Sequence, residues 1–372
     1  MIETLSNISP LATRLRDRIR RDGPITFCDW MRAALYDPVD GYYRRAGRNR
    51  WGRGGDYRTS PERTPLFAAT FARYFAGLYE ELGRPAAWTI LEAGAGAGHF
   101  AAGLLQALQN SSPQVFRATS YVIDEVSPTS AAQARERLQP FADRVQFRSL
   151  DEVEINPGIV FSNELLDAFP VHRVTLVDGE LREFYVTLAE NGNFDWLLHA
   201  PSPAVSERLN KYFAEVGSKP ETGSVVEVSF EIEEWLRRVA AKIRKGYVVT
   251  VDYGAEAEDL ISPLAEREGT LRGFHRHRFV DDLLAQPGAH DLTTTINWSF
   301  VQSVGTSVGL EFVGLSRQDR FLLANGLLEQ LEIESAQAKD NAARLQLSTA
   351  AREMILPTGM AASFQVLVQR KK

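Results

Sequence analysis

The stretch TILEAGAGAGHF, Thr89 to Phe100, constrains the fold more than any other part of the chain. An apolar run ends in a glutamate, breaks into glycines at 94, 96 and 98, and passes at once into the helix-forming FAAGLLQAL. A buried strand turning sharply into a helix is the opening unit of a parallel sheet, and glycines in the turn let backbone N–H groups approach a ligand closely. The alternation continues downstream. TSYVID reads as a strand, SAAQARERL as a helix, GIVFSN as a strand leading into a helical ELLDAF, IEEWLRRVAAKI as a helix and GYVVTVDYG as a long apolar strand. Uninterrupted apolar runs belong to strands covered on both faces. The expected fold is a doubly wound, Rossmann-like α/β core.

Turn and cap signals delimit the rest. Ser9 and Pro10 open a helix that stops near Gly23, and Thr26 caps a second one ended by Pro38 and Gly41. A glycine- and arginine-rich loop follows, and Leu66 to Leu82 repeats apolar residues at helical spacing. Val171 to Ala200 alternates apolar and polar residues around Asp178-Gly179 and Asn191-Gly192, which predicts an antiparallel meander inserted into the core. The tail adds GLEFVGLS, helical stretches over 322–331 and 342–354, and a closing strand SFQVLVQR. The expected organisation is one elaborated domain: a helical segment and loop (1–60), the core (61–170 and 223–256), the insert (171–222) and a C-terminal region (257–372).

Several function classes fall away. With 42 basic and 48 acidic residues the formal net charge is -6, so no field drawing nucleic acid covers the molecule. The local exception, Arg44 to Arg58, carries six arginines; it reads first as a solvated loop and otherwise as an attractor of an anionic partner. The single cysteine, Cys28, excludes an intramolecular disulfide, and six scattered histidines spell no metal site. No apolar run approaches the roughly 20 residues of a membrane span. The first residues lack an apolar leader, and Glu3 and Asp17 count against a transit peptide, so the bacterial cytoplasm is the expected location.

Which ligand the glycines serve depends on their neighbours. A phosphate loop needs a Lys-Ser/Thr pair after its last glycine, and a dinucleotide loop prefers glycine where His99 stands. Glu92, two residues before Gly94, would repel pyrophosphate but suits the cationic amino acid and sulfonium of S-adenosylmethionine. The second strand ends in Asp124 and Glu125, and Glu125, 31 residues beyond Gly94, is the better candidate for the ribose hydroxyls. Gly94, Gly96, Gly98, Glu92, Glu125 and Asp124 are thus the cofactor residues expected from the pattern. A tight turn with no ligand is the competing reading.

Six stretches in order, GDYRTSPE (55–62), LEAGAGAG (91–98), DEVSP (124–128), SNELLDAFPVHR (162–173), VTVDYG (249–254) and GTLRGFHRHR…DLTTTINW (269–298), resemble the MidA family. The resemblance runs from about Gly23 to the closing VLVQR. It implies a class I methyltransferase that uses S-adenosylmethionine. In mitochondrial members of that family the activity is arginine methylation of a respiratory complex I subunit. The resemblance further places the 55–62 loop beside the cofactor, so Gly55, Asp56, Thr59 and Ser60 are expected as a lid, although Asp56 and Ser60 would also serve as turn and cap residues. Tyr57, Ala68 and Asn297-Trp298 depart from the family pattern, the last pair at positions that bear on the acceptor pocket.

Methyl transfer from a sulfonium is an in-line displacement, so a protein need only position two partners and direct one proton. Asn163 and Glu164 follow strand GIVFSN at the edge where cofactor and acceptor would meet, and a carboxylate there can grip a guanidinium through two hydrogen bonds. Asp167 would share their face of a helical turn, while the plain alternative makes Asn163 a cap and Glu164 a first-turn acid. Asp252 and Tyr253 close another strand at the same edge. His290 is the one histidine nominated as a proton acceptor, and Arg272 either anchors a carboxylate or pairs within the fold. The expected partner is a protein acceptor, possible in a complex I subunit by resemblance, with a small-molecule O- or N-acceptor and then a non-catalytic assembly chaperone as alternatives, and a homodimer left open.

Overall fold

The computed structural model describes residues 9–47, 64–261, 268–275, 278–356 and 363–372. At the N-terminus, helix α1 (Pro10–Asp22) is capped by Ser9, whose hydroxyl accepts from Ala12 N at 3.1 Å, and ended by Gly23 at φ 87°. The short strand β1 (Ile25–Thr26) leads into α2 (Phe27–Tyr36), capped by Thr26. Thr64 caps α3 (Pro65–Glu81), so the N-cap of this helix is not Ser60, which lies outside the described residues.

The core then assembles as β2 (Trp88–Ala93), α4 (His99–Ser111), α5 (Pro113–Ala118), β3 (Thr119–Asp124), α6 (Pro128–Arg137), β4 (Val145–Phe147) and β5 (Gly158–Asn163). The insert follows with β6 (His172–Val177), β7 (Glu180–Leu188), β8 (Phe194–His199), α7 (Pro203–Val216) and β9 (Val225–Val228). Asp178 and Gly179 both take positive φ, 51° and 80°, in the two-residue turn between β6 and β7, the geometry such Asp-Gly hairpins require. The core resumes with α8 (Phe230–Lys242) and β10 (Gly246–Ala255). Because β9 pairs with β6, it belongs to the antiparallel sheet rather than to the core with which the spacing grouped it.

Beyond β10 come α9 (Ala257–Leu260), β11 (Arg272–His275), β12 (Arg278–Phe279), β13 (Asp291–Thr293), β14 (Ile296–Asn297) and α10 (Trp298–Ser307). The chain closes with β15 (Glu311–Arg317), α11 (Gln318–Ala324), α12 (Leu327–Gln337), α13 (Asn341–Ile355) and β16 (Phe364–Lys371). The stretch expected as one helix over 322–331 is split at Gly326, whose φ of 92° cannot continue a right-handed helix.

The main sheet has the order β15-β16-β10-β5-β2-β3-β4, with β14 beside the end of β10. From β4 to β10 the strands are parallel, and β16 runs antiparallel to both β10 and β15. One face is covered by α3 and α4, where Phe71, Phe75, Phe100 and Phe161 interlock, the last two stacked with ring centroids 4.1 Å apart. The other is covered by α8 and α10 through Leu236, Val239, Trp298 and Val301. Each such side chain fully buried contributes about 1.5–3 kcal/mol. A smaller third cluster joins α1 and α2 to the insert through Leu15, Phe27, Trp30, Val186 and Phe194, and β1 pairs with β7. Among the described residues no helix is long and apolar enough to cross a membrane.

Candidate active site

Strand order reverses between β2 and β5: after β2 the chain moves out to β3 and β4, then returns to the other side. In open α/β sheets the crevice at such a switch point, outside the carboxyl ends of the strands, is where ligands bind. The glycine turn sits there. Gly94, Gly96 and Gly98 take φ of 70°, 53° and 75°, a left-handed conformation that costs other residues about 1–2 kcal/mol. A Cβ on Gly94 would lie 2.9 Å from Leu165 Cδ1, and one on Gly98 3.0 Å from Ala134 Cβ. Gly94 N donates to the Asp124 carbonyl at 2.8 Å, tying the turn to the neighbouring strand.

The two acids ending β3 diverge. Glu125 faces the turn, accepting from Gly96 N at 2.7 Å and from Ser127 N at 2.6 Å. Asp124 turns instead towards the next loop and accepts from Leu150 N at 3.0 Å, with burial raising its pKa. Glu92 differs from the expectation of an anion facing the cleft. Its side chain is only 3% exposed, the Tyr121 hydroxyl donates to it at 2.7 Å, and burial pushes its pKa up to about 8. It is therefore largely protonated near neutral pH, because removing a carboxylate from water costs more than one phenol hydrogen bond returns. Beneath the turn the Arg137 guanidinium donates to the Ala97 carbonyl, and burial with that nearby cation pushes His99 down to about 4.

The neighbouring edge, at the ends of β5 and β10, gathers three more carboxyls. Glu164 is half-buried, its backbone N donates to Val251 O at 2.9 Å, and its φ of 51° makes it a rare non-glycine residue in the left-handed region. Strain of that kind concentrates at functional positions. Asn163 Nδ2 donates to Glu164 Oε1 at 3.0 Å, so Asn163 orients the carboxylate and does not cap a helix. The helical ELLDAF expected here reduces to one 3-10 turn, Leu166–Ala168, with Glu164 outside it. Asp167, 5% exposed, accepts from the Tyr253 hydroxyl at 2.7 Å through Oδ2, while its buried Oδ1 has no hydrogen-bond partner among the described residues. Burial, set against the donation from Tyr253, raises Asp167 to about 6. Asp252 is fully buried beneath it and accepts from Leu166 N at 3.0 Å; burial, then the Asp167 and Glu164 charges, push it well above the carboxylate range.

His290 is placed in packing. It is 4% exposed, and its Nε2 meets the Leu283 carbonyl at 3.1 Å, so that nitrogen is a donor and is spent as a base. The strand following it reaches the acid cluster, where Thr294 N donates to the Asp167 carbonyl at 3.0 Å. Gly55, Asp56, Thr59 and Ser60 lie outside the described residues. Sequence reasoning missed Tyr36, whose hydroxyl donates to Ala168 O at 3.0 Å across 132 residues; no local pattern announces such a contact. Arg272 lies away from the glycine turn and lines a cavity of about 220 Å³ beyond β10, with Tyr253, Gly254 and Thr270. Among the described residues no cluster of potential ligands could hold a metal ion.

The donor set fits S-adenosylmethionine: a left-handed glycine turn with a carboxylate on one of its amides, beside an edge lined by acids, accommodates a cationic nucleoside better than a pyrophosphate. Residues 70–316 match a family model described as "putative S-adenosyl-L-methionine-dependent methyltransferase". The chain is 29% identical over 327 residues to a Drosophila melanogaster mitochondrial protein, the homolog of protein arginine methyltransferase NDUFAF7, covering 80% of this chain and 70% of that one. It is 25% identical to the Xenopus tropicalis NDUFAF7, covering 92% and 81%. A crystal structure of a Burkholderia thailandensis protein bound to S-adenosyl-homocysteine superposes with a TM-score of 0.85 at 30% identity, covering 99% of this chain and 95% of that one. The fold is accordingly that of a class I methyltransferase, with a mixed central sheet and extra antiparallel sheets.

Proposed function

The chain belongs to this family of S-adenosylmethionine-dependent methyltransferases, and we propose that its methyl acceptor is a protein side chain, an arginine. The observation that carries this reading is the buried Oδ1 of Asp167, without a hydrogen-bond partner among the described residues, beside the strained Glu164. An unpaired buried carboxylate oxygen is costly, and a cationic group entering the edge would relieve it.

When bound, S-adenosylmethionine supplies an electrophilic methyl carbon on a positively charged sulfur. Asn163 holds Glu164 in place, and Glu164 grips two nitrogens of the guanidinium, concentrating its charge there and leaving the third to attack. Transfer would break the methyl–sulfur bond, leaving a neutral thioether, as the C–N bond forms, and the proton shed by that nitrogen would pass to Asp167; a pKa raised to about 6 makes Asp167 a better base near neutral pH than an ordinary aspartate. The family resemblance supports a respiratory complex I subunit as the protein concerned. A small molecule methylated on oxygen or nitrogen is the second reading, favoured by the 220 Å³ cavity next to the acid cluster.

Incubation with methyl-labelled S-adenosylmethionine and a host lysate, followed by mass spectrometry, tests the proposal. The expected product is methylarginine in one or a few proteins. Glu164→Gln and Asp167→Asn should each lower incorporation by roughly 10²-fold or more, the usual worth of a positioned acid or base, while S-adenosylhomocysteine binding is kept. Label confined to small molecules would replace the protein acceptor with the second reading.

A further inference from the structure

We propose that the cavity beyond β10 is a specificity subsite for a carboxylate carried next to the methylated group, with Arg272 as the residue that reads it. This rests on the reading that the acceptor enters over β5 and β10. The volume, about 220 Å³, compares with roughly 30 Å³ per water in the liquid, so an acidic side chain fits with solvent to spare.

The cavity and the acid cluster share a wall. Tyr253, whose hydroxyl donates to Asp167, also lines the cavity together with Gly254 and Ala255. Arg272 stands directly opposite Thr293 in the antiparallel pairing of β11 and β13. Residues so paired project from the same face of a sheet, and the Thr293 side chain lies against Tyr253. Arg272 therefore leaves its strand on the side that faces the acid cluster.

Charge in the cavity is unevenly committed. Glu227 is satisfied: Arg173 Nε donates to it at 3.1 Å, and Thr270 donates through its backbone N at 2.9 Å and its hydroxyl at 3.1 Å. Thr270 is itself fixed by Thr295 N, which donates to its hydroxyl at 3.0 Å. Arg272 is half-buried, yet its guanidinium has no hydrogen bond or ion pair among the described residues. A guanidinium presents five N–H donors in a planar fork matched to a carboxylate, and leaving them unmet in a half-buried site is unfavourable. Glu227 and the exposed Asp259 at the rim disfavour a doubly charged phosphate more than a singly charged carboxylate. The favoured acceptor carries a cation for Glu164 and Asp167 and, within a residue's reach, an acid for Arg272: an arginine with an aspartate or glutamate as neighbour.

The test reads Arg272 directly and needs no acceptor turnover. Protein labelled with nitrogen-15 arginine and saturated with S-adenosylhomocysteine gives an Nε–H resonance for Arg272, assigned by its loss in Arg272→Lys and, independently, in Arg272→Gln. Glutarate should shift that resonance saturably and glutaramide should leave it in place. N-acetylglutamate N-methylamide should act as glutarate does, as expected of an acid within a peptide. An unmoved resonance, or equal shifts with glutarate and glutaramide, overturns the subsite; a response to free glutamate but not to the capped form overturns the peptide source. Absence of methylarginine in the lysate assay would strike the proposed acceptor without touching this measurement.

Discussion

Glu164 is where backbone strain and the proposed chemistry meet. Its φ of 51° lies in a region that favours glycine, yet a glutamate occupies it, with its carboxylate oriented by Asn163. If the conformation is retained for the side chain rather than for the backbone, Glu164→Gly relieves the steric cost while Glu164→Ala keeps it. The glycine variant should then be the more stable of the two by roughly 1 kcal/mol in urea unfolding, and both should lose methyl transfer. Equal stabilities would mean that the left-handed backbone at this position carries no strain. Position 164 was legible in the sequence as the residue after an apolar strand; its backbone angle was not, because nothing in SNELLDAF departs from an ordinary helix start. The same holds for Glu92. Its place before the glycines was legible, but its protonation is decided by burial beneath the assembled core, against a hydrogen bond from Tyr121 on the adjacent strand, 29 residues away.

Among the elements, the candidate site is the meeting of two turns, one after β2 and one after β5. They touch where Leu165 packs against Gly94, at a distance that leaves no room for a Cβ. Gly94→Ala should weaken S-adenosylhomocysteine binding and destabilise the fold by about 1–2 kcal/mol, part from φ and part from the clash. The clash falls on the end of a flexible side chain, so Leu165→Ala should remove that part alone. A double-mutant cycle in thermal or urea unfolding should show a coupling of about 0.5 kcal/mol or more, and strict additivity would mean the turns are independent. The strands and helices of this core were readable because each is long and periodic. What was not readable was decided by pairing at a distance. The strand Val225–Val228 joins the insert because Val174 and Val226 pair, and Gly326 splits a helix whose apolar period runs on across it. Three of the tail's helices lie between two strands of the main sheet, an arrangement that hydrophobic spacing alone does not rank against others.

For the whole molecule, concentrating acids beneath one edge of the sheet makes stability depend on pH. Burial raises Glu92 from 4.5 to about 8 and Asp167 from 3.8 to about 6. A carboxyl whose pKa is raised on folding binds its proton more tightly in the folded than in the unfolded chain. Its contribution is therefore fully present below the unfolded value and is lost as pH climbs through the folded one. For Glu92 the window runs from 4.5 to about 8. The wild-type protein should accordingly be less stable to urea at pH 8 than at pH 5. Glu92→Gln, which keeps a group able to accept from Tyr121 without an ionisable proton, should lose less over the same interval. The difference between the two proteins should be on the order of 1–3 kcal/mol, since each pH unit separating the folded from the unfolded pKa is worth about 1.4 kcal/mol and relaxation of the site recovers some of it. Parallel losses in both proteins would show that Glu92 is ionised when folded. A negative charge would then lie directly below the glycine turn, and the attraction of a cationic sulfur nucleoside would rest on that residue rather than on Glu125 and the acids at the end of β5.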